Sequence, residues 1–165
     1  NLSDGDQTYS VRLEGDNTSS DQGYRLVDPE DVLLKNLDLT DKGSFYVSSV
    51  SNDTDENAVL ESSFTVHLSS EPEDNVTIYA SSSDTTEGVI ISIGGDTNNT
   101  SNLTFTSSNW NSPQSVVIRG VSDNLSDGDQ SYAILLSGDN TSSDLRFKYV
   151  DPPDVKLKNL SLIHI

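Results

Sequence analysis

An internal repeat is the feature that most constrains the fold of this chain. Residues 1–36 recur as residues 124–159, at an offset of 123 residues with no gap, and 24 of the 36 positions are identical. Helical solenoids repeat at about 20–50 residues, so this period is too long for them. It is typical of a string of separate domains. The sequence therefore predicts the C-terminal strands of one repeat in residues 1–38 and one complete repeat in residues 39–160.

Within the complete repeat, apolar residues occur in short alternating runs that are separated by Ser, Asn, Asp, Gly and Pro. Residues 64–68, 76–80 and 131–136 are examples, and no helical periodicity is sustained. Alternation of this kind is the signature of half-buried strands. We count seven or eight such runs in the repeat, which predicts an all-β fold, an immunoglobulin-like antiparallel β-sandwich in tandem repeats. Hydrophobic residues make up only 32% of the chain, below the average of about 45–50%, so we expect a thin core.

The charge balance narrows the classes of partner. The chain has 27 acidic and 9 basic residues, for a formal net charge of −18. Binding to nucleic acid or to an anionic membrane surface needs a cationic protein surface, so neither is expected. Carboxylates at this density repel one another unless cations bridge them, which favours a divalent cation as the partner. The chain has no cysteine, so disulfides are excluded, and no apolar run is long enough to span a bilayer.

Three sequence blocks of the complete repeat resemble the Calx-β family, in its bacterial surface-protein and adhesin branch. They are a Thr-Phe-Thr segment followed by Asn-Trp-Asn-Ser-Pro-Gln (104–114), an Asp-Asn-Leu-Ser-Asp-Gly-Asp turn (123–129) and a closing Asp-Pro-Pro-Asp-Val strand (151–155). Through the duplication, the resemblance extends to residues 1–38. It implies a seven-stranded sandwich that binds Ca²⁺ at one end.

The resemblance also implies which residues are the calcium ligands. They come from the loop before the second strand, an early inter-strand loop, the acidic turn and the exit from the repeat. The implied set is Glu56 or Glu61, then Asp84, Asp123 and Asp127, and Asp38 and Asp41 at the repeat junction. Ser126 and Gln130 stand where acids are frequent in the family, which implies a weaker site or fewer ions.

Without the resemblance, the acidic turn has two interpretations. Residues 123–129 place three acids on one turn, where Gly128 permits a positive φ. An ordinary acidic β-turn has the same composition, because Asp and Gly are favoured in turns in any case. We expect residues 139–144 to form a solvated loop whose side chains bond their own backbone. We expect Trp110 to pack over the end of the core, with a carbohydrate-stacking platform as the alternative.

Catalytic motifs are missing from the sequence, so we predict that the chain is not an enzyme. His67 alternates with apolar neighbours and is expected to face solvent. No Gly-x-Ser-x-Gly nucleophile elbow occurs. Gly94-Gly95 lacks the following Lys-Ser or Lys-Thr of a phosphate-binding loop.

The function predicted from these observations is a calcium-binding structural or adhesive repeat of a large secreted or cell-surface bacterial protein. Neighbouring repeats of the same chain are the expected partners, with calcium stiffening the junctions through Asp38 and Asp41. The alternatives are a passive spacer in a multidomain extracellular enzyme and a regulatory calcium sensor. Residues 160–165 depart from the repeat and match the translation of a transposon-end sequencing adapter, so we expect them to be a non-native tail.

Overall fold

The computed structural model describes residues 7–25, 27–36, 42–98, 100–123, 125 and 127–161. The chain forms two compact units, residues 1–41 and residues 42–165. The described residues form eleven strands and no helix, which confirms the all-β prediction. Nothing in this part of the chain could therefore cross a membrane as a helix.

The first unit is a single antiparallel hairpin. It pairs β1 (Gln7–Val11) with β2 (Val32–Asn36). Side chains of the connecting loop hold it in shape, because the carboxylate of Asp31 accepts a hydrogen bond from the backbone N–H of Leu13 at 3.0 Å. Two strands cannot bury two faces of a sheet, and every residue of both strands is exposed.

The second unit is a sandwich of two sheets. Its strands are β3 (Phe45–Val47), β4 (Thr54–Asp55), β5 (Glu61–Leu68), β6 (Val76–Ser82), β7 (Gly88–Ile93), β8 (Asn102–Phe105), β9 (Gln114–Gly120), β10 (Gln130–Gly138) and β11 (Val155–Leu160). One sheet has the order β4-β11-β10-β6-β8 and the other β3-β5-β9-β7. All pairings are antiparallel except β11 with β4. The sequence predicted all of these strands but β4, which is too short to show alternation.

The core lies between the two sheets and follows the predicted alternation. In β5, the side chains of Phe64, Val66 and Leu68 are buried, and the residues between them are only partly buried. Trp110 packs against the edge of this core, as predicted. His67 points away from the core, as expected, because it alternates with the buried Val66 and Leu68. One face of its ring is covered by Tyr46, with a ring-centroid distance of 4.8 Å.

The strand registers bring several loops to one end of the sandwich, here called the acidic end. Residue 61 at the start of β5 pairs with residue 119 near the end of β9, and Gly88 at the start of β7 pairs with Gly120. Gln130 at the start of β10 pairs with Asn159 near the end of β11. The loop between β4 and β5, the loop between β6 and β7 and the loop between β9 and β10 therefore meet there.

The loop 139–144 lies at the opposite end, where β10 finishes, and one expectation for it was wrong. Asp139 does bond its own turn, since it accepts hydrogen bonds from the backbone N–H and the hydroxyl of Thr141 at 2.8 and 2.7 Å. Asp144, however, is only 2% exposed. It accepts hydrogen bonds from the guanidinium of Arg146 at 3.0 Å and from the backbone N–H of Glu73 at 2.7 Å. These charge-assisted bonds make its burial possible.

Candidate metal centre

Three carboxylates meet at the acidic end of the sandwich. One oxygen from each of Glu56, Asp123 and Asp127 lies within 4.8 Å of the others. Glu56 follows β4, Asp123 follows β9 and Asp127 precedes β10. We call these three residues the acidic cluster. Three of the ligands implied by the sequence resemblance are therefore close together in space, although Glu56 is distant in the chain from the loop that carries Asp123 and Asp127.

The sequence left Glu56 and Glu61 as alternatives, and the structure separates them. Glu56 belongs to the acidic cluster, and its carboxylate accepts a hydrogen bond from the hydroxyl of Ser161 at 3.5 Å. Glu61 is the first residue of β5, is exposed, and lies opposite Arg119 of β9. Glu61 is not part of the cluster found among the described residues.

Local bonds fix the turn that carries Asp123 and Asp127. The carboxylate of Asp123 accepts a hydrogen bond from the backbone N–H of Leu125 at 2.9 Å, and the side-chain amide of Gln130 donates to the backbone oxygen of Asp127 at 3.0 Å. Gly128 has φ +78°, the positive value that the sequence predicted and that a side chain would make unfavourable. Asp129 instead accepts a hydrogen bond from the backbone N–H of Ser161 at 3.2 Å.

Glu87 is a functional candidate that sequence reasoning missed. It is only 8% exposed, and its carboxylate accepts a hydrogen bond from the amide of Asn159 at 3.2 Å. Burial raises the pKa of Glu87, the bond from Asn159 opposes that rise, and the charges of Asp123, Asp127 and Asp84 raise it further. Because the charges of these three carboxylates act on Glu87, Glu87 belongs to the same electrostatic site as the acidic cluster. The sequence contains 27 acidic residues, and nothing in it distinguishes Glu87 from the others.

Asp84 lies in the loop that leads to Glu87 but outside the acidic cluster. Its carboxylate accepts hydrogen bonds from the hydroxyl and the backbone N–H of Thr86 at 2.6 and 2.9 Å, and these bonds lower the pKa of Asp84. Its negative charge nevertheless contributes to the raised pKa of Glu87. The structure therefore places Asp84 at the margin of the site.

Asp38 and Asp41, the predicted junction ligands, lie outside the described residues. The offset of 123 residues, continued into the tail that we expect to be non-native, aligns Asp38 with Ser161. Ser161 is buried, and its hydroxyl and backbone N–H bond to Glu56 and Asp129. Residue 161 therefore adjoins the acidic cluster. An Asp at this position, which Asp38 provides in the first repeat, would add a carboxylate.

The acidic cluster suits calcium by donor type and by spacing. Calcium prefers oxygen ligands at about 2.3–2.6 Å, so two of its ligands lie at most about 5 Å apart. The separations within 4.8 Å fit this limit. The cluster has no nitrogen or sulfur donor of the kind that zinc prefers. Three carboxylates leave room for backbone oxygens and water among the 6–8 ligands.

Comparison with known proteins adds no relative. No protein-family model matches the chain, and no curated protein matches it. The resemblance to the Calx-β family therefore rests on the sequence blocks described above.

Proposed function

We propose that this chain is a calcium-binding structural repeat of a large secreted or cell-surface protein, in which the ion binds at the end of the sandwich. The observation that carries the proposal is the acidic cluster of Glu56, Asp123 and Asp127, which two loops, the one between β4 and β5 and the one between β9 and β10, bring within 4.8 Å of one another. Carboxylates so close together repel in the absence of a cation. A bound Ca²⁺ converts that repulsion into attraction and joins the two loops.

The surroundings of the cluster support the same proposal. The buried Glu87 has its pKa raised by burial and by neighbouring carboxylates, so the folded chain concentrates negative charge at the acidic end. A divalent ion is the partner that best compensates such a charge. The net charge of −18 favours the same partner for the chain as a whole.

The place of the site in the repeat indicates a structural role. The acidic cluster lies beside Ser161, at the end of β11, where the chain leaves the sandwich. In a string of repeats, an ion held there would couple the sandwich to the next repeat, and Asp38 and Asp41 are the acids at the corresponding exit of the first repeat. Calcium at each exit would stiffen a string of repeats, as expected of a stalk that carries an adhesive domain. Extracellular modules bind calcium with a Kd of about 10⁻⁴–10⁻³ M, which suits a secreted protein.

Thermal unfolding of the full chain with millimolar calcium and with chelator tests the proposal. At a hundredfold excess of calcium over Kd, we expect stabilisation of the second unit by about 2.7 kcal/mol. Asp127→Asn should weaken calcium binding by about tenfold, because it removes one charged ligand. Asp139→Asn is the matched control, since it removes the same charge at the opposite end of the sandwich and should leave calcium binding unchanged.

A gain-of-function variant sharpens the test. Ser161→Asp restores the residue that the first repeat has at this position and adds a carboxylate next to Glu56. We expect it to lower the calcium Kd, as measured by titration calorimetry, while Asp139→Asn does not. Equal unfolding midpoints in calcium and in chelator, with sodium and magnesium held constant, would contradict the proposal and leave a passive spacer.

A further inference from the structure

The hairpin β1–β2 has a face of exposed apolar side chains. Tyr9 is 51% exposed and Leu34 is 39% exposed. Other large apolar side chains of this unit are exposed as well: Val11, Leu13, Tyr24, Val27 and Val32. Exposed apolar patches of this kind mark interaction surfaces.

The second unit contains a close copy of this hairpin in a buried setting. The offset of 123 residues aligns Tyr9 with Tyr132 and Leu34 with Leu157, which are 4% and 3% exposed. The strand registers are the same, since Val11 pairs with Val32 as Ile134 pairs with Val155.

Hydrogen bonds in the two loops also agree. The bond from Leu13 to Asp31 at 3.0 Å recurs between Leu136 and Asp154 at 2.9 Å. The two hairpins therefore have the same local structure, and they differ in what covers them.

The surroundings of β10–β11 indicate which strands could cover the exposed face of β1–β2. In the second unit the hairpin β10–β11 lies between β6 and β4 in one sheet, and its inner side chains join the core. The hydroxyl of Tyr132 lies 2.9 Å from the hydroxyl of Thr54, and the amide of Asn159 donates to the backbone oxygen of Val121 at 2.8 Å. Tyr9 and Asn36 carry the same groups at the corresponding positions of β1 and β2.

We propose that the apolar face of β1–β2 is a docking surface for a block of strands with the sequence pattern of residues 42–123, joined directly in front of Asn1. Residue 124 corresponds to residue 1, so this connection continues the repeat without a break. A second copy of the whole chain is a poorer occupant, because its β10–β11 already fills the position. An exchange between two copies would leave one hairpin uncovered.

One difference between the hairpins predicts how the docked forms differ. Asp144 is buried against the guanidinium of Arg146, but the position of Arg146 is Gly23 in the first unit. A docked Asp21 would therefore lack the cationic partner that Asp144 has. We expect the β1–β2 hairpin to dock in the same register as β10–β11 and to hold its loop less tightly.

Hydrogen exchange of an extended chain tests the docking. The extended chain places residues 42–123 directly before residues 1–165, and the peptides of the two hairpins remain distinguishable by sequence. We expect the amides of residues 7–11 and 32–36 to exchange about a hundredfold more slowly than in the 165-residue chain, towards the rates of β10–β11. The measurement is made in calcium and in chelator, so that the result does not depend on metal binding.

Neighbouring leucines on opposite faces of β2 provide the matched variants. Leu34→Asp in the extended chain should abolish the protection, because it places a charge on the docking face. Leu33→Asp should keep it, because Leu33 corresponds to the exposed Lys156 of β11. The proposal would be overturned if exchange in the extended chain were unchanged, or if both variants lost protection equally. It would also be overturned if the added block remained protease-sensitive along its whole length.

Discussion

The two ends of the sandwich hold the buried carboxylates of Asp144 and Glu87 in opposite ways. At one end Asp144 is surrounded by donors, and although burial raises its pKa, the bonds from Arg146 and from the backbone N–H of Glu73 lower it by more. At the acidic end, burial and the neighbouring carboxylates raise the pKa of Glu87, and the amide of Asn159 compensates only in part. The carboxylate of Asp144 is balanced by the guanidinium of Arg146, whereas the carboxylate of Glu87 lies among other negative charges.

The largest loss of stability is expected for a substitution of Asp144, whose charge is already balanced by Arg146. Asp144→Asn replaces one carboxylate oxygen by an NH₂ group, which is a hydrogen-bond donor. This group then faces another donor, either the guanidinium of Arg146 or the backbone N–H of Glu73. We expect a loss of about 1.5–3 kcal/mol in the free energy of unfolding at pH 6. Urea unfolding of the full chain measures this loss.

The pH dependence of the same variant sharpens the comparison. Because the pKa of Asp144 is lowered below 3.8 in the folded state, its contribution is present above that pH and is lost as the pH falls through the folded-state pKa. The difference between the parent and Asp144→Asn should therefore be full at pH 6 and shrink towards pH 3. A difference of the same size at both pH values would contradict the assigned role of Asp144.

Glu87→Gln is expected to have a smaller effect whose sign depends on calcium. A raised pKa means that folding disfavours the charged form of this side chain, and Gln retains an oxygen that can accept from Asn159. In chelator at neutral pH we expect the unfolding midpoint to rise by about 2 °C, a shift that corresponds to less than 1 kcal/mol for a chain of this size. In calcium the variant should be less stabilised than the parent, and destabilisation in both conditions would show that Glu87 is only a packing residue.

The smallest effect is expected at two turns with the same local structure. Asp84 and Asp139 each accept hydrogen bonds from the backbone N–H and hydroxyl of the threonine two residues later. Asp84 is exposed and Asp139 is half-buried. Asp84→Asn should weaken calcium binding by roughly twofold, because its charge reaches the site across partly screened solvent. Asp139→Asn should not change it. Equal calcium affinities of the two variants in calorimetric titrations would remove Asp84 from the site.

The strands of the sandwich were largely predictable, because alternation along a strand is a property of neighbouring residues. Every predicted strand is present with small changes at its ends, and β4 was missed because two residues show no period. The acidic cluster was predicted only in part. The resemblance pointed to Asp123 and Asp127, but left Glu56 and Glu61 open, since both acids lie in or next to the loop before β5.

Two residues show where the sequence was misleading. Asp144 lies in a Ser- and Asp-rich loop that is typical of a solvated turn, yet its contact with Glu73 requires a segment far away in the chain. Glu87 lies in a polar turn beside Asp84, and its burial depends on Asn159 of β11. In both cases the local composition indicated exposure, and pairing between distant strands decided otherwise.

The sequence by itself determined the repeat, the strand pattern and the local structure of both hairpins, because these depend on residue spacing, turn formers and short-range hydrogen bonds. The tertiary structure alone decided which acids meet each other and which meet an arginine. Side chains at the ends of strands are brought together by the sheet registers, and a register joins residues that no local pattern relates. For the same reason, the identical faces of Leu34 and Leu157 differ only in what the rest of the fold places against them.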